Sequence, residues 1–230
     1  MFVDRNVEAV RCGVSIVYGI VFWLLGIGVS AEAFPGVVVN ESIQPGVFLI
    51  ADPSLTDPNF QQTVVLLWGH GGHGTHGVII NRPIDTPLSQ ALPNVSALQS
   101  VNLTLHFGGP VALEQPILLF RYSDELPEGK PVFADVYVST NVDVVQWLHD
   151  SRALEGRLQV YSGHAGWGPG QLASEMAQGA WHVVRGDAHS IFNSDPSDLW
   201  SKLFAASQAI QVHHQSSDFS SPPVYLWTSL

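Results

Sequence analysis

Three histidines, His70, His73 and His76, stand three apart in a run that also holds Gly69, Gly71, Gly72 and Gly74. Neutral imidazoles ligate zinc, nickel or copper, and a glycine loop bends enough to bring two or three of them onto one ion. No cysteine or nearby carboxylate completes the set, so surface histidines of a hairpin loop are the simpler reading. A second candidate is the loop Gly166-Trp167-Gly168-Pro169-Gly170-Gln171. A helix starting there would turn free amides and the positive end of its dipole toward an anion. The alternative is a strand-to-helix turn with Pro169 at the first helical position and Trp167 packed on the core. Gly168 to Ala173 also fits G-x-G-x-x-A, but no parallel βαβ unit is evident, Asp187 is a loose match for the ribose-binding acid, and neither Lys130 nor Lys202 lies in a P-loop.

Two further motifs carry the same double reading. In Asn81-Arg82-Pro83 the guanidinium can hold a carboxylate or phosphate bidentately, or it can pair with an internal acid such as Asp52 or Asp57 and fix a loop. In Gly108-Gly109-Pro110 the glycines permit positive φ or a close approach, either for ligand contact through bare amides or for a tight corner. Nucleophilic catalysis finds no support: there is no G-x-S-x-G elbow, and the one cysteine, Cys12, lies in the N-terminal segment. A triad of His164, Asp52 and a serine would depend wholly on the fold.

The elements that must position these residues are short and mixed. Apolar, β-branched runs at Val47–Ile50, Thr63–Trp68, Gly77–Asn81, Asn102–Phe107, Pro116–Tyr122, Val132–Val138 and Arg157–Ser162 read as strands. Thr140-Asn141-Val142-Asp143 has the capping-box form and opens a helix through Leu148. A second helix carries an apolar stripe from Leu172 to Trp181, and a third, capped at Asp195-Pro196, runs to Ile210. Residues 37–210 form one α+β domain, and 211–230 form a polar tail.

The chain has 230 residues, 46% hydrophobic and 13% charged, with a formal charge of −11. That balance excludes a disordered polymer and makes nucleic acid an unfavourable partner. A lone cysteine excludes a disulfide framework and a thiolate metal centre. Residues 1–33 differ from the rest. Gly13 to Val29 carries no charge, and Ala31-Glu32-Ala33 has the small-x-small form of a cleavage site. The expectation is a signal peptide or membrane anchor, with export or membrane contact through residues 13–29; a misassigned start, leaving the chain cytoplasmic, is the alternative.

The ordered set from Ala51-Asp52-Pro53 to Asn59-Phe60, then Gly77 to Pro83, Phe107 to Val111, His164 to Leu172, Gly179-Ala180-Trp181 and Ile191 to Pro196 with Trp200 resembles the YqgE/AlgH family over residues 44–210. The resemblance implies an α+β fold in which a mixed sheet curls into a flattened partial barrel with packed helices. It implies no defined activity, and its regulatory label comes without a recognisable DNA-binding module. Relatives mostly lack a leader and look cytoplasmic. Many carry a cysteine where Trp68 stands here. The expectation is a non-enzymatic regulatory or interaction protein with an unidentified protein or small-molecule partner and no cofactor. A small-molecule or anion binder using Arg82 and the Gly166–Gly170 loop is the alternative, and a metal-dependent enzyme the third.

Overall fold

The computed structural model describes residues 42–123, 128–150, 154 and 156–217. The leader expected at 1–33 and most of the tail lie outside them. Among the described residues no helix is long and apolar enough to cross a membrane.

Ten strands form one sheet: β1 (Val47–Ala51), β2 (Val64–Gly71), β3 (Gly74–Ile79), β4 (Pro83–Pro87), β5 (Thr104–Phe107), β6 (Val111–Arg121), β7 (Lys130–Phe133), β8 (Val136–Ser139), β9 (Leu158–Trp167) and β10 (Trp181–Arg185). Their order is β10-β1-β2-β3-β9-β6-β8-β7, with β5 beside β9 and β4 beside β5. Among the described residues only β5 and β9 pair in parallel, so the sheet they form is mixed but mostly antiparallel, and it is not closed into a barrel. The fold is α+β, as expected. Among the described residues five α-helices pack on it: α1 (Leu88–Ala91), α2 (Asp143–Asp150), α3 (Gln171–Ala177), α4 (Ala188–Phe192) and α5 (Pro196–Ser217).

Strand alternation explains the layering, because successive side chains point to opposite faces. Phe48, Ile50, Val64 and Leu66 share one core with Ile117, Leu119, Val136, Val138 and Tyr161, so the two halves of the sheet curl toward a common concave face. Helices α4 and α5 cover it through Ile191, Phe192, Leu199 and Leu203. On the convex face α1 and α2 cover Leu118, Phe120 and Val160, while α3 covers Val47, Leu49, Val65 and Ile79. Strands sandwiched this way read as continuous apolar runs, which is why they stand out in the sequence.

Strand β9 joins the halves. Leu158 and Val160 face the convex side and Tyr161 the concave side, but beyond Gly163 the convex residues are Ala165 and Trp167. Gly163 sits at φ +68°, shifting the alternation by one residue and letting β9 leave β5 for β3.

Several boundaries differ from the sequence reading. The run Val132–Val138 is not one strand but the β7–β8 hairpin, turned at Ala134-Asp135, where Arg121 clasps the Asp135 carboxylate. The stripe to Trp181 is not one helix: Gly179 takes φ +78°, ends the α3 turn, and delivers Trp181 into β10. Helix α5 passes Ile210 and runs to Ser217, for no proline interrupts it before Pro222.

Candidate interaction site

Most sequence-level candidates are absorbed by the fold. Arg82 donates to the carbonyls of Pro58, Asn59 and Gln61 at 2.8–3.1 Å. It therefore fixes the loop through backbone oxygens rather than by pairing with Asp52 or Asp57. Burial pulls its pKa down, opposed by the charge of Asp57. Asn81 completes the grip, accepting from the Val64 amide and donating to the Gln62 carbonyl.

At the Gly108-Gly109-Pro110 corner the chain crosses β9 at backbone contact. A Cβ on Gly108 would lie 2.3 Å from the Gly163 carbonyl oxygen, and one on Gly109 2.3 Å from the His164 carbonyl carbon. The Gly108 amide donates to Ser162, so it is not open to a ligand.

Trp167 is 4% exposed, and its indole N–H donates to Glu175, which also accepts from Trp181. Phe60 packs against both indoles. Gln171 reaches back to the Gly168 amide and on to Glu175, while Gly170 supplies φ +75° before α3. Gly166 lies opposite His76 in the β3–β9 ladder. These contacts make the loop a wall of the core, and the strands on either side of α3 are not neighbours.

The histidine loop is the β2–β3 hairpin. His70 is hydrogen-bonded to Thr75 at 2.8 Å, whereas His76, next along the strand, turns to the other face. The three imidazoles do not converge, and among the described residues no group of three or more metal-ligating side chains assembles. The acid considered for a triad, Asp52, pairs with His182 at 2.9 Å rather than with His164. Ser54 donates to Asp52 at 2.6 Å, which places the carboxylate between imidazole and hydroxyl. A Ser–His–Asp nucleophile needs the imidazole in that middle position.

A different site appears on the concave face. His76 stacks on Trp68 with ring centroids 5.3 Å apart, and His164 stands 5.6 Å from His76. Trp68 Nε1, His76 Nδ1 and His164 Nδ1 are buried without hydrogen-bond partners. Burial, and next the neighbouring His76, lower the His164 pKa. Lys130 lies over Trp68 at 5.8 Å. Beside them a pocket of about 320 Å³ is lined by Trp68, Ile117, Glu128, Lys130, Val138 and Ser139 among others.

That pocket opens where β8 stops. Strand β6 begins at Val111, but its pairing with β8 starts only at Leu118, and its ladder with β9 breaks between Val111 and Pro116. Residues 111–115 are exposed, with Val111 at 43% and Leu113 at 49%. Ala112 takes φ +51°, a conformation that L side chains rarely adopt. The Ser162 hydroxyl donates to the Leu113 carbonyl, so Leu113 faces β9 and its neighbour Glu114 presents its amide to the free edge. Sequence reading missed this segment, although the alternation Val111-x-Leu113 before Pro116 is its trace.

Comparison with known proteins agrees with the fold. The AlgH-like family model matches residues 48–211. A UPF0301 protein of Dechloromonas aromatica is 34% identical over 169 residues, covering 72% of this chain and 89% of its own length. Another, of Magnetococcus marinus, is 34% identical and covers 67% and 84%. The solution structure of the AlgH protein from Pseudomonas aeruginosa superimposes with a TM-score of 0.59 at 26% identity, covering 80% of this chain and 98% of that one. The crystal structure of protein DIP2367 from Corynebacterium diphtheriae shares the fold, with a TM-score of 0.63 at 20% identity over 72% of this chain and 88% of that one. By family match, identity and fold together, this chain belongs to the AlgH-like family.

Proposed function

We propose that the domain is a non-enzymatic interaction protein that captures an extended segment of another protein by adding it as a strand to β6. The observation that carries this reading is the β6 segment at 112–115, which pairs with no strand among the described residues, bears the exposed Leu113 beside the exposed Val111, and leads into the Trp68 pocket. An exposed strand edge offers a row of unpaired N–H and C=O groups, the template that strand addition uses. A segment continuing the line of β8 meets that pocket at Ile117 and Ser139. Pro116, which has no N–H, limits the addable stretch to its N-terminal side. The formal charge of −11 favours a partner segment with basic as well as apolar side chains. The Ser54–Asp52–His182 wiring supports a binding role over a hydrolytic one.

The test is a photo-crosslinking residue at position 113 in cells that make the protein, followed by sequencing of the captured peptide. One extended segment is expected, and its synthetic peptide should bind the wild type and a Glu114→Gln variant alike. Glu114→Pro removes the outward donor and is expected to weaken binding at least about tenfold while leaving the fold intact. Equal binding by Glu114→Pro contradicts strand addition, and a crosslink between two copies replaces the foreign partner with the protein itself.

A further inference from the structure

A second cleft lies at the seam of the unclosed sheet, where the start of β1 meets the β7–β8 turn and the end of β10. The Gly186 amide donates to the Gly46 carbonyl at 2.9 Å, and a Cβ on Gly46 (φ +91°) would lie 3.1 Å from Phe133 Cβ. The cleft between them measures about 610 Å³, and Pro45, Val47, Phe133, Arg185 and Asp187 are among its walls.

Arg185 is exposed there, and it makes no hydrogen bond or ion pair among the described residues. Among the described residues four other cations are engaged, Arg82 by three carbonyls, Arg121 by Asp135, Lys202 by Asp198 and Lys130 against Trp68, and Arg157, which lies away from the cleft, is the one other without a partner. The nearby acid does not take its place as partner. Both Asp187 oxygens turn to Ser190, accepting from its amide at 2.8 Å and its hydroxyl at 2.7 Å. An unpaired guanidinium in a concave wall presents a planar fork of donors that matches a carboxylate bidentately. Phe133 and Pro45 supply apolar surface within the same walls.

We infer that this seam cleft binds a small organic carboxylate, with Arg185 holding the carboxylate and Phe133 supporting an apolar body. Ligand pockets set a few polar groups that fix orientation beside apolar surface, as Arg185 stands beside Phe133 and Pro45 in these largely polar walls. The site is independent of the β6 edge, uses none of its residues, and stands or falls separately.

The test titrates ¹⁵N-labelled protein with phenylacetate and follows amide shifts in the wild type, in Arg185→Gln and in Arg157→Gln. Arg157 is also exposed and makes no side-chain hydrogen bond or ion pair among the described residues, but it does not line the cleft. Saturable shifts are expected at Gly46, Gly186 and Ala188, with a Kd on the order of 1 mM. Binding should fall at least about tenfold in Arg185→Gln and stay unchanged in Arg157→Gln. Benzyl alcohol, which lacks the charge, and inorganic phosphate, which lacks the apolar body, should each bind more weakly than phenylacetate. The spectra of both variants report directly that the fold is intact. Absence of saturation, equal binding by Arg185→Gln, or phosphate binding as tightly as phenylacetate would overturn the assignment.

Discussion

Arg82 has the chemistry of an anion site, yet its guanidinium is taken up by three carbonyls of the loop that it spans. Lysine carries the charge but not the planar fork, so Arg82→Lys is expected to lose about 2 kcal/mol of stability in urea unfolding. Trp167 belongs to the core, and Trp167→Ala is expected to cost about 3–5 kcal/mol by the same measurement. Titration follows from one buried imidazole, His106, and one half-buried, His164. Burial lowers the pKa of His106, opposed by a backbone bond to Thr104, and burial with His76 lowers that of His164. A histidine whose folded pKa lies below its ordinary 6.5 binds fewer protons folded than unfolded. Stability is therefore complete above that value and declines as pH falls through it toward the folded pKa. The melting temperature should drop on acidification from neutral pH, and less steeply in His164→Asn. At this scale the sequence supplied chemical aptitude but not availability: nothing near Arg82 in the chain announces that Pro58 to Gln61 will consume it. His164 gains a role only when β9 lies beside β3.

Strand β9 depends on one residue for its course. Alanine at Gly163 would combine an unfavourable φ of +68° with a Cβ 2.5 Å from the Gly109 oxygen. Gly163→Ala is accordingly expected to destabilise by at least about 2 kcal/mol, read from denaturant midpoints at constant m-value. Buried strands such as β1 and the capped helices α2 and α5 were legible, because their apolar runs and caps are local signals. Strand β10 was not, since Ala180 and Trp181 extend the helical stripe of α3 in phase and only the left-handed Gly179 separates them. The loss had a consequence, for Arg185 lies on that strand. The β7–β8 turn was hidden because Ala134, at φ +44°, holds a position where glycine or asparagine is the usual sign.

Across the whole molecule, the ordered motifs pointed to the α+β architecture through the family they resemble, and the structure places Gly108-Gly109 among them at a corner where chains cross. The free edge of β6 is a different kind of property. It exists because β8 ends at Ser139 and the β6–β9 register breaks before Pro116, and both facts depend on pairings distant in the chain. No local pattern encodes them. The central claim is that this edge receives a strand, and amide hydrogen exchange of the protein with and without the peptide identified at position 113 tests it most directly. Protection is predicted at Glu114, the outward-facing amide of the segment, together with slower exchange around Ile117 and Ser139 where the added strand meets the Trp68 pocket. Unchanged exchange at 112–115, with protection arising elsewhere on the domain, would contradict it.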